Sequence, residues 1–382
     1  MRHIEEEIAV SALMNDPAVA QRVLEHINNG TTDQGGEVWS EPVANYRSQA
    51  RLDAEIALLR QSPTPFCPSA ALPEAGAYVA REAAGTPLLA VRDDGGRVRV
   101  FRNACRHRGM QLADGCGCKK AFVCRYHGWT YQPDGRLQHI PHEHGFPGFD
   151  KDQHGLVPVT AREDRGIVFV TQDDPVSSGD PCAGMPELIA LDQQPMSTSE
   201  SEFDVNWKVF LESFLEGYHI RSTHRDSFYP YGFDNLNVVE TCGRNSRVTF
   251  PFQRIQKLAD VAPQERCLKG LVTYVYHLFP NALVAVLSNH TSLVVLEPLS
   301  LDRTRLVSYA LTDIAGDPEA LEKSQRDAEF VNETGAAEDR EVVCAIQRGI
   351  NSGANDAFTF GHFESAICHF HRNLTAALQT SG

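Results

Sequence analysis

Two short pairs of metal-binding side chains constrain this chain more than any other feature: Cys105-Arg106-His107 and Cys124-Arg125-Tyr126-His127. A Cys2His2 zinc site is the plainest reading of two cysteines and two histidines. Zinc sites of that kind usually pair like with like, as C-x2–4-C followed by H-x3–5-H. Here each pair mixes a thiol with an imidazole. Mixed pairs suit a [2Fe–2S] centre in which one iron takes both thiolates and the other both imidazoles. Imidazole donates less charge than thiolate, so such a centre sits at about −150 to +300 mV and passes single electrons.

Length and charge bound the rest. The chain has 382 residues, enough for two domains and a smaller element, and 42% of them are apolar. A net charge of −15 argues against a nucleic-acid binder. Ten cysteines in so long a chain are not a disulfide framework; those outside the metal pairs, Cys116 and Cys118 included, read as reduced thiols, those two on a loop. Residues 1–10 are acidic and lack a signal pattern, and the longest apolar runs are too short to span a bilayer. A soluble, cytoplasmic protein is expected.

The chain divides by pattern into an amino-terminal helical segment (1–60), a β-rich domain holding the first metal pairs (61–175) and a mixed domain (176–382). Val19, Val23 and Leu24 mark a helix over 17–26, and 52–59 forms another. Proline-rich residues 61–68 break it. Residues 88–91 and 97–101 flank Asp93-Asp94-Gly95-Gly96 as a hairpin, and 166–170 forms a closing strand. Strands follow at 247–250, 271–278, 283–287, 292–296 and 305–312, then helices at 318–347 and 363–378.

A second metal motif lies in the third segment: Glu216, His219 and His224, as E-x-x-H-x4-H. Phe210, Phe214 and Tyr218 recur every four residues, as on a buried helix face. Glu216 and His219 would point the same way on that helix, which should end near Gly217. Two histidines this close can share a metal. A ferrous site needs two histidines and one carboxylate on a single face, leaving positions open for dioxygen. Glu216 could be a ligand, a surface acid or a bridge. His139, His142 and His144 fall in a Pro- and Gly-containing loop, and His369 and His371 project to different sides of a helix. Neither group is expected to share a metal.

The sequences around both motifs resemble the Rieske non-haem iron oxygenases. Cys105-Arg-His107-Arg108-Gly109 and Cys124-Arg-Tyr126-His127-Gly128-Trp129 are similar to the Rieske domains of ring-hydroxylating oxygenases; Met110 and Tyr126 stand where respiratory Rieske proteins carry disulfide cysteines. Asn206-Trp207-Lys208, then Glu216, then His219 and His224, resembles the catalytic-domain motif. The resemblance implies an α+β protein: an all-β Rieske domain and a helix-grip catalytic domain on an antiparallel sheet. It implies a [2Fe–2S] cluster on Cys105, His107, Cys124 and His127, and mononuclear Fe(II) on His219, His224 and Asp339. Glu338 and Glu341 compete locally with Asp339. Glu216 becomes the bridge between a cluster histidine of one subunit and an iron histidine of the next, with the glutamate found in relatives like the carnitine and other quaternary-ammonium monooxygenases.

There is no G-x-G-x-x-G after a strand and no C-x4-C-x2-C run. No entry point for NADH is therefore evident, and a separate flavin/iron–sulfur reductase is expected, with or without a ferredoxin. The resemblance implies a terminal oxygenase α subunit in a head-to-tail homotrimer. Its substrate would be an aromatic ring or a methyl-bearing compound. A quaternary ammonium would need an aromatic cage, for which Tyr229, Tyr231 and Phe233 are candidates. An electron-transfer protein without an oxygen site would explain the first motif but not the second.

Overall fold

A computed structural model describes residues 12–175, 179–190, 192–313 and 317–380; residues 1–10, considered above for a signal, lie outside it. The amino-terminal segment comprises α1 (Asp16–Asn29), β1 (Trp39–Pro42), α2 (Ala44–Arg47) and α3 (Gln49–Gln61). The Asn15 side chain caps α1, and Gly30 ends it in the left-handed conformation. Val19, Val23 and Leu24 face the core, as the spacing predicts, and Ala20 joins them.

The second segment is all β: β2 (Thr64–Pro68), β3 (Ala77–Ala83), β4 (Thr86–Arg92), β5 (Val98–Arg102), β6 (Gly115–Cys118), β7 (Phe122–Val123), β8 (Thr130–Tyr131), β9 (Leu137–His139), β10 (Pro158–Asp164) and β11 (Ile167–Thr171). Seven strands join in the order β2-β11-β10-β5-β4-β3-β6, and β7-β8-β9 form a small separate sheet. The expected hairpin is β4–β5. Asp93 closes its turn: one carboxylate oxygen accepts from the Gly95 and Arg97 N–H groups and the other from Arg99. Cys116 and Cys118 lie on edge strand β6, paired with β3, rather than on a loop.

The third segment runs β12 (Gln194–Phe203), α4 (Trp207–Glu212), α5 (Ile220–Thr223), β13 (Val238–Cys242), β14 (Asn245–Pro251), β15 (Val272–Leu278), β16 (Ala282–Val286), β17 (Thr291–Ser300), β18 (Arg303–Thr312), α6 (Pro318–Glu333), α7 (Gly335–Ser352), β19 (Ala357–Phe360) and α8 (Ser365–Thr380). Strands β12 to β18 form one antiparallel sheet, ordered β12-β18-β17-β16-β15-β14-β13. Its residues alternate between two cores. Val248, Val275, Leu283, Val294 and Leu296 pack under α4, α7 and α8. Tyr274, Tyr276, Val284 and Leu293 face α1 and the preceding β domain.

Polar anchors join the segments. Arg81 on β3 is buried against Glu297 on β17 at 2.7 Å, and the second Glu297 oxygen accepts from the Ala84 N–H at 2.8 Å. Lys208 on α4, 1% exposed, pairs at 2.8 Å with Glu55 on α3. Strand β1 pairs with β19, joining the two ends of the described chain. No helix among the described residues is long and apolar enough to cross a membrane.

Candidate cluster and iron sites

The two mixed loops share one backbone frame. Gly109 N–H donates to the Cys105 carbonyl at 2.8 Å, and Cys105 N–H to Met110 at 2.8 Å. In the second loop Gly128 N–H donates to Cys124 at 2.9 Å and Cys124 N–H to Trp129 at 2.8 Å. Gly109 and Gly128 have φ of +77° and +75°, which a side chain would oppose. Asn103 holds the first loop from below, accepting from Leu112 N–H and donating to the Ala113 carbonyl.

This frame buries both cysteines and turns both histidines outward. Cys105 and Cys124 are each 3% exposed, whereas His107 is half-buried and His127 exposed. The imidazole centroids are 4.7 Å apart, and Trp129 stacks on His107 at 4.8 Å. Burial, then the charges of His127 and Arg108, hold His107 below the usual imidazole value, favouring the neutral form that binds metal. Tyr131 lies beside the sulfur: its hydroxyl accepts from Arg106 N–H at 2.9 Å, leaving its own proton for Cys105 Sγ at 3.3 Å.

The second motif departs from the expected helix. α4 stops at Glu212, and residues 213–219 unwind before α5. Ser213 Oγ donates to the Phe210 carbonyl, competing for the last turn. Gly217 passes so close to Asn237 that a Cβ would lie 2.4 Å from its side-chain amide. Phe210 is thus buried and Phe214 half-buried, while Tyr218 is 59% exposed. The three do not share one buried face.

Unwinding still brings Glu216 to His219. Glu216 Oε1 contacts His219 Nδ1, and Glu216 Oε2 accepts from the backbone N–H groups of Tyr218 and His219. His224 ends α5, and α7 brings Asp339 across. His219 Nε2 is 3.5 Å and His224 Nε2 3.0 Å from Asp339 Oδ1. All three donor atoms lie within 4.8 Å of one another. Burial disfavours charge on His219, but Asp339 and Glu216 outweigh it and lift the imidazole to about 10. His224 is raised against burial too, by Asp339 and Glu338. Asp339 is held low despite its own burial, by both imidazoles. These carboxylates make the pocket negative, so it favours positive charge. Two nitrogens and one carboxylate oxygen match a ferrous site.

Glu338, a competitor for the ligand role, contacts His224 Nδ1 instead, at 2.7 Å. The Asn206-Trp207-Lys208 run supports the site. Asn206 caps α4 and its N–H donates to Gln347 on α7 at 2.9 Å, while Trp207 and Lys208 both bind Glu55. Beside Glu216 and His219, Tyr218, Arg221, Ser222 and Asp234 complete an open cleft of about 460 Å3.

Comparison with known proteins agrees with both halves. Residues 62–150 match the profile of the Rieske [2Fe-2S] domain, and residues 192–380 that of the ring hydroxylating alpha subunit catalytic domain. The chain belongs to the Rieske non-haem iron oxygenases. It is a terminal oxygenase α subunit, with a [2Fe–2S] cluster and a mononuclear iron as its cofactors. Such subunits take electrons from separate reductase partners and bind dioxygen and a small-molecule substrate.

This Rieske oxygenase is 28% identical over 377 residues to the carnitine monooxygenase oxygenase subunit of Escherichia coli K12, covering 88% of this chain and 93% of that one. It is 26% identical over 330 residues to the chloroplastic choline monooxygenase of Beta vulgaris, covering 80% and 69%. Among solved structures, a quaternary ammonium Rieske monooxygenase superimposes with a TM-score of 0.75 at 20% identity, over 97% of this chain and 100% of that one. Naphthalene 1,2-dioxygenase from Rhodococcus sp. also gives 0.75 at 20% identity, over 96% and 99%. The fold is therefore common to both substrate classes.

The discounted histidines of the oxygenase have other surroundings. His139, His142 and His144 are exposed. His371 is buried with Nε2 at 2.9 Å from Glu212, a carboxylate that Tyr46 also reaches, and His369 is half-buried on the same helix. Tyr229 lies under Arg221, and Phe233 packs on the core. Of the three proposed cage residues, Tyr231 lies beside the iron-site aromatics, 6.3 Å from Phe330, which is 6.0 Å from Phe228. Phe228 in turn lies 4.9 Å from His224.

Proposed function

We propose that this oxygenase hydroxylates a carbon beside a quaternary ammonium nitrogen. The observation that carries the reading is the aromatic group Phe228–Phe330–Tyr231 next to His224. A quaternary ammonium has no N–H to donate, so aromatic faces are its natural partners. The names of the carnitine and choline monooxygenase relatives, and glutamate at position 216, support the same reading.

In this reading Cys105, His107, Cys124 and His127 hold the cluster, and His219, His224 and Asp339 hold the iron. The cluster supplies single electrons and the ferrous ion activates dioxygen. The protein groups set the path. His107 and His127 face outward to meet a neighbouring subunit, and Glu216, at the rim of the cleft, presents His219 to it. A carboxylate suits this position because it accepts imidazole N–H bonds from two sides and fixes both tautomers. Closure of such head-to-tail contacts gives a homotrimer. Hydroxylation beside the cationic nitrogen leaves a carbinol that collapses to a carbonyl and expels a tertiary amine.

The test is turnover with a surrogate reductase on betaines, choline, carnitine, aromatic acids and methoxyaromatics. Aldehyde and tertiary amine released together, in step with dioxygen uptake, are expected from a quaternary ammonium. Ring diols from the aromatic acids, with no uptake on the ammonium compounds, would replace this reading with ring dioxygenation.

A further inference from the structure

Each iron histidine has two ring nitrogens, and the geometry accounts for all four. His219 and His224 turn Nε2 toward Asp339, while Nδ1 of His219 meets Glu216 and Nδ1 of His224 meets Glu338. Glu216 and Glu338 are not equivalent. Glu216 sits beside His219 in sequence, at the rim of the open cleft. Glu338 comes from another element, the first turns of α7, immediately before Asp339. Its Oε2 takes His224 Nδ1 at 2.7 Å and the Ser227 hydroxyl at 2.5 Å. This oxygen lies on the side of the ring opposite Nε2, so Glu338 cannot share a metal bound there.

A second contact sets how near α7 comes. The Phe228 ring rests on Gly335, the first residue of α7, where a Cβ would lie 2.0 Å from two ring carbons. No side chain on Gly335 therefore holds the 224–228 turn away from the start of the helix that carries Asp339.

We propose that Glu338 is a positioning residue for the iron site: it accepts the Nδ1 proton of His224, fixes that imidazole with Nε2 toward Asp339, and ties α7 to the turn that ends at Phe228. This rests on His219, His224 and Asp339 being the iron ligands. Outer carboxylates of this kind orient a ligating histidine and raise its basicity, and their loss typically costs about 10–100-fold in metal affinity. Ser227 supports the same oxygen and has the smaller share.

The experiment is a chelator titration of the iron-loaded oxygenase, with mononuclear iron counted by metal analysis and the cluster followed by its visible absorption. Glu338→Ala should lose mononuclear iron at a chelator concentration about 10–100-fold lower than the parent, with the cluster spectrum unchanged. Glu338→Gln keeps an acceptor oxygen at Nδ1 and should recover part of that loss; Ser227→Ala should shift the curve only a few-fold. An unshifted Glu338→Ala curve in folded protein would overturn the proposal. So would equal losses in Glu338→Ala and Glu338→Gln, which would mark a general effect on folding. If Glu338→Ala does not fold, the Gln and Ser227→Ala curves decide alone, and parent-like curves for both would overturn the proposal. His224→Ala is the separate control: full iron retention there would remove the ligand reading itself.

Discussion

At the scale of single residues, groups outside the proposed ligand sets touch both metal sites. The Tyr131 hydroxyl lies 3.3 Å from Cys105 Sγ and is the donor when Cys105 serves as a thiolate ligand, which has no proton to give. Hydrogen bonds to cluster sulfur raise the potential by stabilising the reduced, more negative form. Tyr131→Phe should therefore lower the midpoint potential by about 20–60 mV, the equivalent of a net hydrogen bond of about 0.5–1.5 kcal/mol in a one-electron couple. Redox titration of the purified protein checks it, and an unchanged potential would remove Tyr131 from the tuning set. Glu216→Gln should keep the iron, since an amide oxygen can still meet His219, yet slow cluster-to-iron electron transfer by about 10–100-fold. Single-turnover reoxidation of the cluster reads this directly; parent rates would take Glu216 off the path.

Secondary-structure elements were legible where the sequence carried a period. The β4–β5 hairpin follows from Val98 and Val100 against Arg97 and Arg99 around a Gly-Gly turn, and β14 to β18 appear as apolar runs near their predicted places. β12 was not legible, because its residues are almost all polar and exposed at a sheet edge, with no alternation to read. The unwinding after α4 was hidden too, since it depends on Ser213 and on Asn237 from a distant segment. Spacing and resemblance name the proposed ligands, and His219, His224 and Asp339 do converge. The role of Glu338 could not be read, because nothing in E-D-x-E says which carboxylate turns toward a histidine 114 residues away. The hairpin turn gives a test of its own. Burial alone would raise the Asp93 carboxyl, but Arg99 and the backbone N–H groups outweigh it and hold it low. The folded value is depressed, so the contribution is complete above the unfolded value of about 3.9 and is lost as pH falls through the folded one. Asp93→Asn should cost about 1–2 kcal/mol near neutral pH, from denaturation midpoints, and the difference should shrink in acid. A gap that persists unchanged to low pH would contradict this.

At the scale of the whole molecule, the proposed head-to-tail ring would set the cleft at Glu216 against the outward His107 and His127 of a neighbouring subunit. Mixing a cluster-deficient variant (Cys105→Ser) with an iron-deficient one (His219→Ala) should restore part of the activity, since a ring built from both contains intact pairs. If subunit exchange is verified and turnover stays at background, transfer does not cross between subunits.

Arg81 and Glu297 carry a further consequence. Parting the β domain from the catalytic sheet would break the Arg81–Glu297 pair and the Ala84–Glu297 hydrogen bond together. The cluster cannot swing like a pendulum between donor and acceptor. In the proposed ring its reach would be decided once, at docking, and thickening the solvent with sucrose should leave the internal electron hop at its ordinary pace.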